Sequence, residues 1–197
     1  MYGILGDDMA LLAKFVSPLR VDSNVPTFST DSLSLKRNTR QRSGQRWEVS
    51  ARLEPLSASA NVLFALIVKK GSTGIYNLVV PQNYGAVKAR RPASNAEYAT
   101  GTVNDSFAVV QSDSFIPVGT FIQFGQSSKV YLTVSEATPL GKIEIVPRLQ
   151  DTFNNVPFNW KDDVIMKAYL DQSNVRGMAF EDGILMDNGE LSFVERV

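Results

Sequence analysis

The sequence predicts a mainly-β fold, a β-barrel or sandwich with one packed α-helix. Three observations carry this expectation. Short apolar or alternating runs recur between Gly, Pro, Asp-Gly and Asn-Gly turn signals. Only one stretch keeps apolar residues at sustained three- and four-residue spacing. Strand and helix patterns also fail to alternate as they do in a parallel α/β sheet. At 197 residues the chain is one large domain or one domain carrying an inserted second. That length buries a core without staples.

The elements follow in order. Residues 7–15 read as a short helix, with Asp7 as N-cap and acids in the first turn. Pro18 and Pro26 punctuate the next stretch. Residues 32–36 alternate with period two and predict a strand. The polar residues 37–44 read as a long hairpin loop, with Gly44 available for a positive φ. The clearest period-two run spans 46–53. Trp47, Val49, Ala51 and Leu53 share one side there, and Arg46, Glu48, Ser50 and Arg52 the other. This is the signature of a half-buried antiparallel strand.

The helix is expected over about residues 57–70. Ser57 or Ser59 would cap it, and Leu56, Ala60, Leu63, Phe64 and Ile67 would face the sheet. Lys69, Lys70 and Gly71 supply its C-terminal signature. Further strands are predicted at 75–80, 106–111, 120–124, 129–135, 142–146, 163–170, 178–181 and 191–194. Pro81, Pro117 and Pro147 mark strand ends or edges, because proline cannot donate to a ladder. Asp182-Gly183 and Asn188-Gly189 predict tight turns. Residues 82–104, rich in Ala, Asn, Gly, Arg and Thr, read as a surface loop.

Composition removes whole classes of chemistry. The chain has no Cys and no His. Zinc sites, iron–sulfur clusters, His- or Cys-ligated haem, Ser-His-Asp triads and Cys nucleophiles each need a residue it lacks. Disulfides are impossible, so a staple-dependent secreted scaffold is excluded. Residues 1–8 have no basic region and two acids, unlike a signal peptide. The longest apolar run, 62–68, is too short to span a membrane. The expectation is a soluble chain made in the cytoplasm, with no membrane partner.

The remaining candidate sites each have a plainer reading. Gly71-Ser72-Thr73-Gly74 lacks the Gly-Lys-Ser/Thr ending of a phosphate loop and follows a helix, so it reads as a helix stop. Asp7-Asp8 and Asp162-Asp163 are adjacent pairs whose members point to opposite faces of an extended segment. Paired glycosidase carboxylates must instead face each other across about 5–10 Å. Trp160 is either a sugar platform or a buried or interface anchor, and residues 119–124 are either core strand or binding groove. No catalytic, cofactor-binding or metal site is expected, and the chain is read as a non-enzyme.

Charge supplies a different signal. Lys plus Arg and Asp plus Glu are 20 each. Yet residues 36–91 hold eleven basic and two acidic residues, a net +9. Residues 1–35 carry −2 and residues 92–197 carry −7. Such polarity fits solvated faces, a nucleic-acid patch, or copies meeting head to tail. Zero net charge disfavours a dedicated nucleic-acid binder. The expected interface residues are Arg37, Arg40, Arg42, Arg46, Arg90 and Arg91 on the basic side. Trp160, Asp162 and Asp163 are expected on the other.

Three stretches together resemble a known family. Residues 44–49 (Gly-Gln-Arg-Trp-Glu-Val) open a strand, and Leu53-Glu54-Pro55-Leu56 leads into the helix. Residues 119–124 and 129–132 follow, and then Ile145-Val146-Pro147-Arg148-Leu149. This order, over roughly 30–150, resembles the distal tail and baseplate hub proteins of tailed bacteriophages. The resemblance implies a β-barrel with a packed helix that closes into a ring joining the tail tube to the host-facing apparatus. It implies a homo-oligomer within the virion tail, in contact with tail-tube and baseplate proteins, with no specific nucleic-acid binding. It also implies a small β-barrel inserted at 81–150, between a ring-forming half at 1–80 and an acidic segment at 151–197. That last segment either returns to the first sheet or reaches a neighbour.

Three other readings compete. A carbohydrate-binding module would use Trp160, Tyr84 or Tyr131. A wall hydrolase would use Asp162 or Asp163. A nucleic-acid module would use the basic segment.

Overall fold

The computed structural model describes residues 2–31, 37–41, 44–55, 60–82, 97–112, 115–137, 140–160, 164–171, 179–181, 184–187 and 190–197. In chain order the elements are β1 (Gly3–Leu5), β2 (Leu11–Asn24), β3 (Thr27–Asp31), β4 (Arg37–Gln41), β5 (Arg46–Pro55), α1 (Ala60–Lys70) and β6 (Ile75–Val79). Then come β7 (Tyr98–Gly101), β8 (Phe107–Gln111), β9 (Phe121–Phe124), β10 (Tyr131–Thr133), β11 (Leu140–Val146) and β12 (Phe153–Asn159). The chain finishes with β13 (Ile165–Leu170), β14 (Ala179–Glu181), β15 (Ile184–Asp187) and β16 (Glu190–Glu195).

The fold is mainly β with one helix, and its strands close two six-stranded antiparallel barrels. The first has the order β1-β2-β5-β16-β13-β6, the second β10-β11-β8-β7-β12-β9. The second lies between β6 and β13 of the first. Its last strand is β12, so it extends to Asn159, past the boundary of 150 read from the sequence. The C-terminal segment therefore splits: 153–159 closes the second barrel, while β13 and β16 return to the first.

Small barrels are filled by side chains, and the alternation in β5 shows how. Trp47, Val49, Ala51 and Leu53 are buried, while Arg46 and Arg52 face solvent. Ile4, Leu12, Tyr76, Leu78, Met166, Leu191 and Phe193 complete the first core, and Tyr76 meets Phe193 edge-on at 5.6 Å. Gly3 is required in β1, because a Cβ there would lie 1.9 Å from the Ala13 carbonyl oxygen. In the second core Phe124 is central, with Tyr131 and Phe153 rings both 5.3 Å away and Phe158 at 6.3 Å.

The helix buries Leu63, Leu66 and Ile67 against the first core. Phe64, expected on that face, is 39% exposed; Leu66 joins Leu63 and Ile67 on the buried stripe instead. Leu56, Ser57 and Ser59 lie outside the described residues. Gly71 ends the helix in the left-handed region at φ 54°, its N–H donating to the Ile67 carbonyl at 2.8 Å.

Three sequence expectations are corrected. The surface loop read at 82–104 includes a strand, since residues 98–101 form β7 between β8 and β12. Residues 7–15 are a turn followed by the start of β2, not a helix. The Gly6 N–H donates to the Ala10 carbonyl at 2.8 Å, and residues 11–14 pair with β1. A helix of that length is marginal alone, and two flanking strands outcompete it. Pro18 is absorbed within β2 where the register with β5 shifts between Val16 and Arg20. The polar stretch 37–44 is likewise not simply a loop. Residues 37–41 form β4, paired from Thr27↔Gln41 to Asp31↔Arg37 with β3. The strand expected at 32–36 and the tight turns at 182–183 and 188–189 lie outside the described residues.

Candidate functional site

Register fixes the two ends of the first barrel. At one end Asn24 pairs with Arg46, Val194 with Glu48 and Ile165 with Val79. At the other, Ala13 pairs with Pro55, Glu190 with Arg52 and Tyr169 with Ile75. The β3–β4 ribbon and the second barrel both leave from the first of these, the seam end. Helix α1 and the β14–β15 ribbon leave from the second, the helix end, because α1 joins β5 to β6 and the ribbon joins β13 to β16.

The seam end is held by polar groups. Lys129 and Glu195 form an ion pair whose side chains are 2% and 0% exposed. The Lys129 ammonium also donates to the Gln45 carbonyl at 2.9 Å and to Gln45 Oε1 at 2.8 Å. Its three donors are thus all used. Glu195 accepts from the Val130 N–H at 2.8 Å and the Trp47 N–H at 3.2 Å. The Trp47 indole N–H donates to the Val130 carbonyl at 2.8 Å, and its ring meets Phe121 edge-on at 5.2 Å. Burial pushes the Glu195 carboxyl above its ordinary value and the Lys129 ammonium below its own. The attraction between them opposes both shifts.

Two glutamines extend the seam by imitating backbone. Gln82 donates to the Phe121 carbonyl at 2.8 Å and accepts from the Phe121 N–H at 3.0 Å. Gln123 donates to the carbonyls of Ser127 at 2.8 Å and Ile165 at 3.1 Å. Gln45, which holds the Lys129 ammonium, also lines an open cleft of about 640 Å³ together with Val25, Asn104, Ser106, Arg148 and Gln150. The Arg148 guanidinium there donates to the Asn104 carbonyl at 3.0 Å.

The helix end has a different surface. With Leu63, Leu66 and Ile67 turned inward, Val62 is 54% and Val68 67% exposed. Lys70 and Lys69 reach Asp7 at 2.7 and 3.5 Å. The Lys70 hydrogen bond and charge hold the Asp7 carboxyl below its ordinary value.

The expected interface residues fall in several places. Arg37 and Arg40 lie in β4, and Arg46 opens β5 at the seam end with its side chain exposed. Arg42, Arg90, Arg91, Asp162 and Asp163 lie outside the described residues, as does Tyr84. Trp160 is 1% exposed and sits in the second core, its indole N–H donating to Glu97 Oε2 at 2.6 Å. It therefore presents no ring to a partner, and neither does Tyr131, which is fully buried. The 119–124 stretch is core strand, and the 71–74 cluster is a helix stop closed by the Gly74 N–H to the Lys70 carbonyl at 2.8 Å. Among the described residues no group of three or more Asp or Glu could hold a metal ion. No described helix is long and apolar enough to cross a membrane.

Sequence reasoning missed the Lys129–Glu195 pair. One signal was present: Glu195 follows Leu191 and Phe193 at period two, in phase with the core. A carboxylate on the buried phase demands a partner.

No protein-family model matches the chain, and no curated protein does.

Proposed function

We propose that the protein is a structural component of a bacteriophage tail or baseplate, assembling head to tail into a ring or hub that links the tail tube to the host-facing apparatus. The observation that carries this reading is the opposite charge, in the sequence, of the two segments that leave the first barrel at its two ends. The seam-end ribbon lies within residues 25–44, which hold four basic residues and one acidic. The helix-end ribbon lies within residues 171–190, which hold one basic and five acidic. Closed rings need different, complementary patches on each copy, and opposite charge selects such pairings and their register.

Two further features support the reading. The seam ties the barrels through backbone-like bonds, so that one copy would bear load as one unit. The motif order at 44–56, 119–132 and 145–149 also resembles distal tail and baseplate hub proteins. On this reading the protein is made in the host cytoplasm, incorporated into the virion, and works without catalysis or cofactor.

The test is the particle formed by the purified chain. Native mass spectrometry and negative-stain electron microscopy are expected to show a closed ring of fixed copy number. Replacing Arg40, Arg42 and Arg46 together by Glu should leave folded monomers. A wild-type chain that stays monomeric at high concentration, or that binds glycans on an array as a monomer, overturns the reading.

A further inference from the structure

We infer that the open cleft where the two barrels meet binds an extended acidic peptide segment of a partner protein, its carboxylate on Arg148 and its backbone on Gln150. This holds for the single chain and does not rest on the assembly reading above.

The cleft has the place and the size of a binding site. Ligand sites of roughly 300–1,000 Å³ favour domain interfaces, and this one, at about 640 Å³, draws its lining from both barrels. Val25 lies between β2 and β3 and Gln45 immediately before β5, while Ser106 immediately precedes β8 and Val146 ends β11. The lining is already fixed. The Asn104 N–H donates to the Leu149 carbonyl at 2.8 Å, the Leu149 N–H to the Asp105 carbonyl at 2.9 Å and the Ile145 N–H to the Ser106 carbonyl at 2.9 Å. Gln45 accepts from the Lys129 ammonium at 2.8 Å, and its amide donates to the Ser23 hydroxyl at 3.0 Å. Binding at a preorganised site loses little ordering entropy.

The chemistry of the lining selects the occupant. Arg148 is its one charged residue; Asp105 and Asp151 adjoin lining residues in the chain without lining the cleft. The guanidinium donates from one nitrogen to the Asn104 carbonyl at 3.0 Å, and among the described residues it forms no ion pair. Its remaining donors suit a carboxylate.

Gln150 supplies the second point. Its backbone N–H donates to the Tyr131 hydroxyl at 3.2 Å, while its side-chain amide has no hydrogen-bond partner among the described residues. Such an amide offers both a donor and an acceptor, and this molecule already uses two to hold backbone. Gln82 pairs with both the N–H and the carbonyl of Phe121, and Gln123 donates to the Ser127 and Ile165 carbonyls. Gln150 presents the same group at an open cleft. Val25, Val146 and Pro147 supply apolar contact.

A random heptapeptide library selected on the immobilised chain tests the inference. Selected peptides should share an Asp or Glu beside an apolar residue, and one of them, fluorescently labelled, gives the affinity by anisotropy. Changing its acid to the amide should raise Kd about tenfold or more, as should Arg148→Ala, and the two changes together should add little. Arg148→Lys should cost less, because it keeps the charge without the fork. Gln150→Ala should raise Kd about threefold. Ser106→Tyr, which fills the cleft without altering charge, should abolish binding, and Lys142→Ala, outside the lining, should leave it unchanged. Circular dichroism and melting verify that the variants fold, and the change on the peptide needs no protein variant at all. A library that yields no peptide, peptides with no shared acid, or a selected peptide that binds folded Arg148→Ala or Ser106→Tyr as tightly as wild type overturns the inference.

Discussion

The two barrels have the same strand number and opposite construction. The second takes all six strands from one run, 98–159. The first gathers its six from 3–24, 46–79 and 165–195, so its closure waits on both termini. Strand β16 pairs with β5 on one side and β13 on the other, and no barrel exists until it arrives. Local closure costs less chain entropy than distant closure, so the second barrel is the unit suited to forming first and templating the seam. The buried charge follows the same division. It lies where Glu195 of the barrel closed by distant strands meets Lys129, which sits between two strands of the locally closed one.

The largest expected effect comes from breaking that meeting point on one side. Glu195→Leu strands a buried ammonium and should cost about 3–5 kcal/mol in urea unfolding. The double variant Lys129→Met/Glu195→Leu should recover part of the loss, since the stranded charge is gone while the Trp47 and Val130 N–H groups still lack the carboxylate they donate to. A double variant as unstable as the single would mean that packing, not charge, fixes this point. Phe124→Ala tests the second barrel alone and should cost about 3–5 kcal/mol. If the seam couples the barrels, fluorescence and circular dichroism will still report one transition; two separated transitions would show the barrels unfolding independently.

Smaller effects sharpen the comparison. Gln82→Ala leaves the Phe121 N–H and carbonyl unpaired beside the seam, at a cost of about 1–3 kcal/mol. Its signature should be a lower unfolding midpoint with the second core's near-ultraviolet signal retained. Among the described residues each barrel also holds one buried tyrosine, Tyr76 in the first and Tyr131 in the second, both pushed up by burial to about 12. Because the folded value lies above the unfolded value near 10, this stability is complete below pH 10. It is lost as pH rises from about 10 to 12. The chain has six tyrosines, so alkaline titration by tyrosinate absorbance is run on wild type beside Tyr76→Phe and Tyr131→Phe. The ionisation that each variant removes should arrive with unfolding, and its appearance in the folded wild-type chain would contradict the prediction. The smallest effect is at exposed Asp7, whose carboxyl is held down by Lys70. Asp7→Asn should slightly lower the melting temperature at neutral pH, and the difference should vanish as pH falls below the ordinary carboxylate range.

Much of this was legible in the sequence where one face is buried and the other wet. The β5 alternation, the helix over 60–70 and most second-barrel strands follow from periodicity. What escaped shares a physical cause. Residues 11–15 are apolar and charged in an order that suits a short helix, and only pairing with β1 and β5 makes them strand. In β12, Pro157 and three asparagines hide a strand whose register with β7 shifts between Phe153 and Val156. The β4 ribbon has no apolar face to betray it. The seam escaped because Lys129 and Glu195 are 66 positions apart, and chemistry between such residues is set by closure rather than spacing.

The filling of the first barrel bears on what could pass through such an assembly. Leu63, Leu66 and Ile67 enter its core from the helix end, and Phe121 and Val130 join that core from the seam end. Side chains thus enter the core of the cylinder from both mouths. Any bore in a ring of these subunits would then lie between cylinders, its width set by how many stand around the axis. Caliber would be a property of copy number, adjustable at the contacts between neighbours without disturbing a single strand.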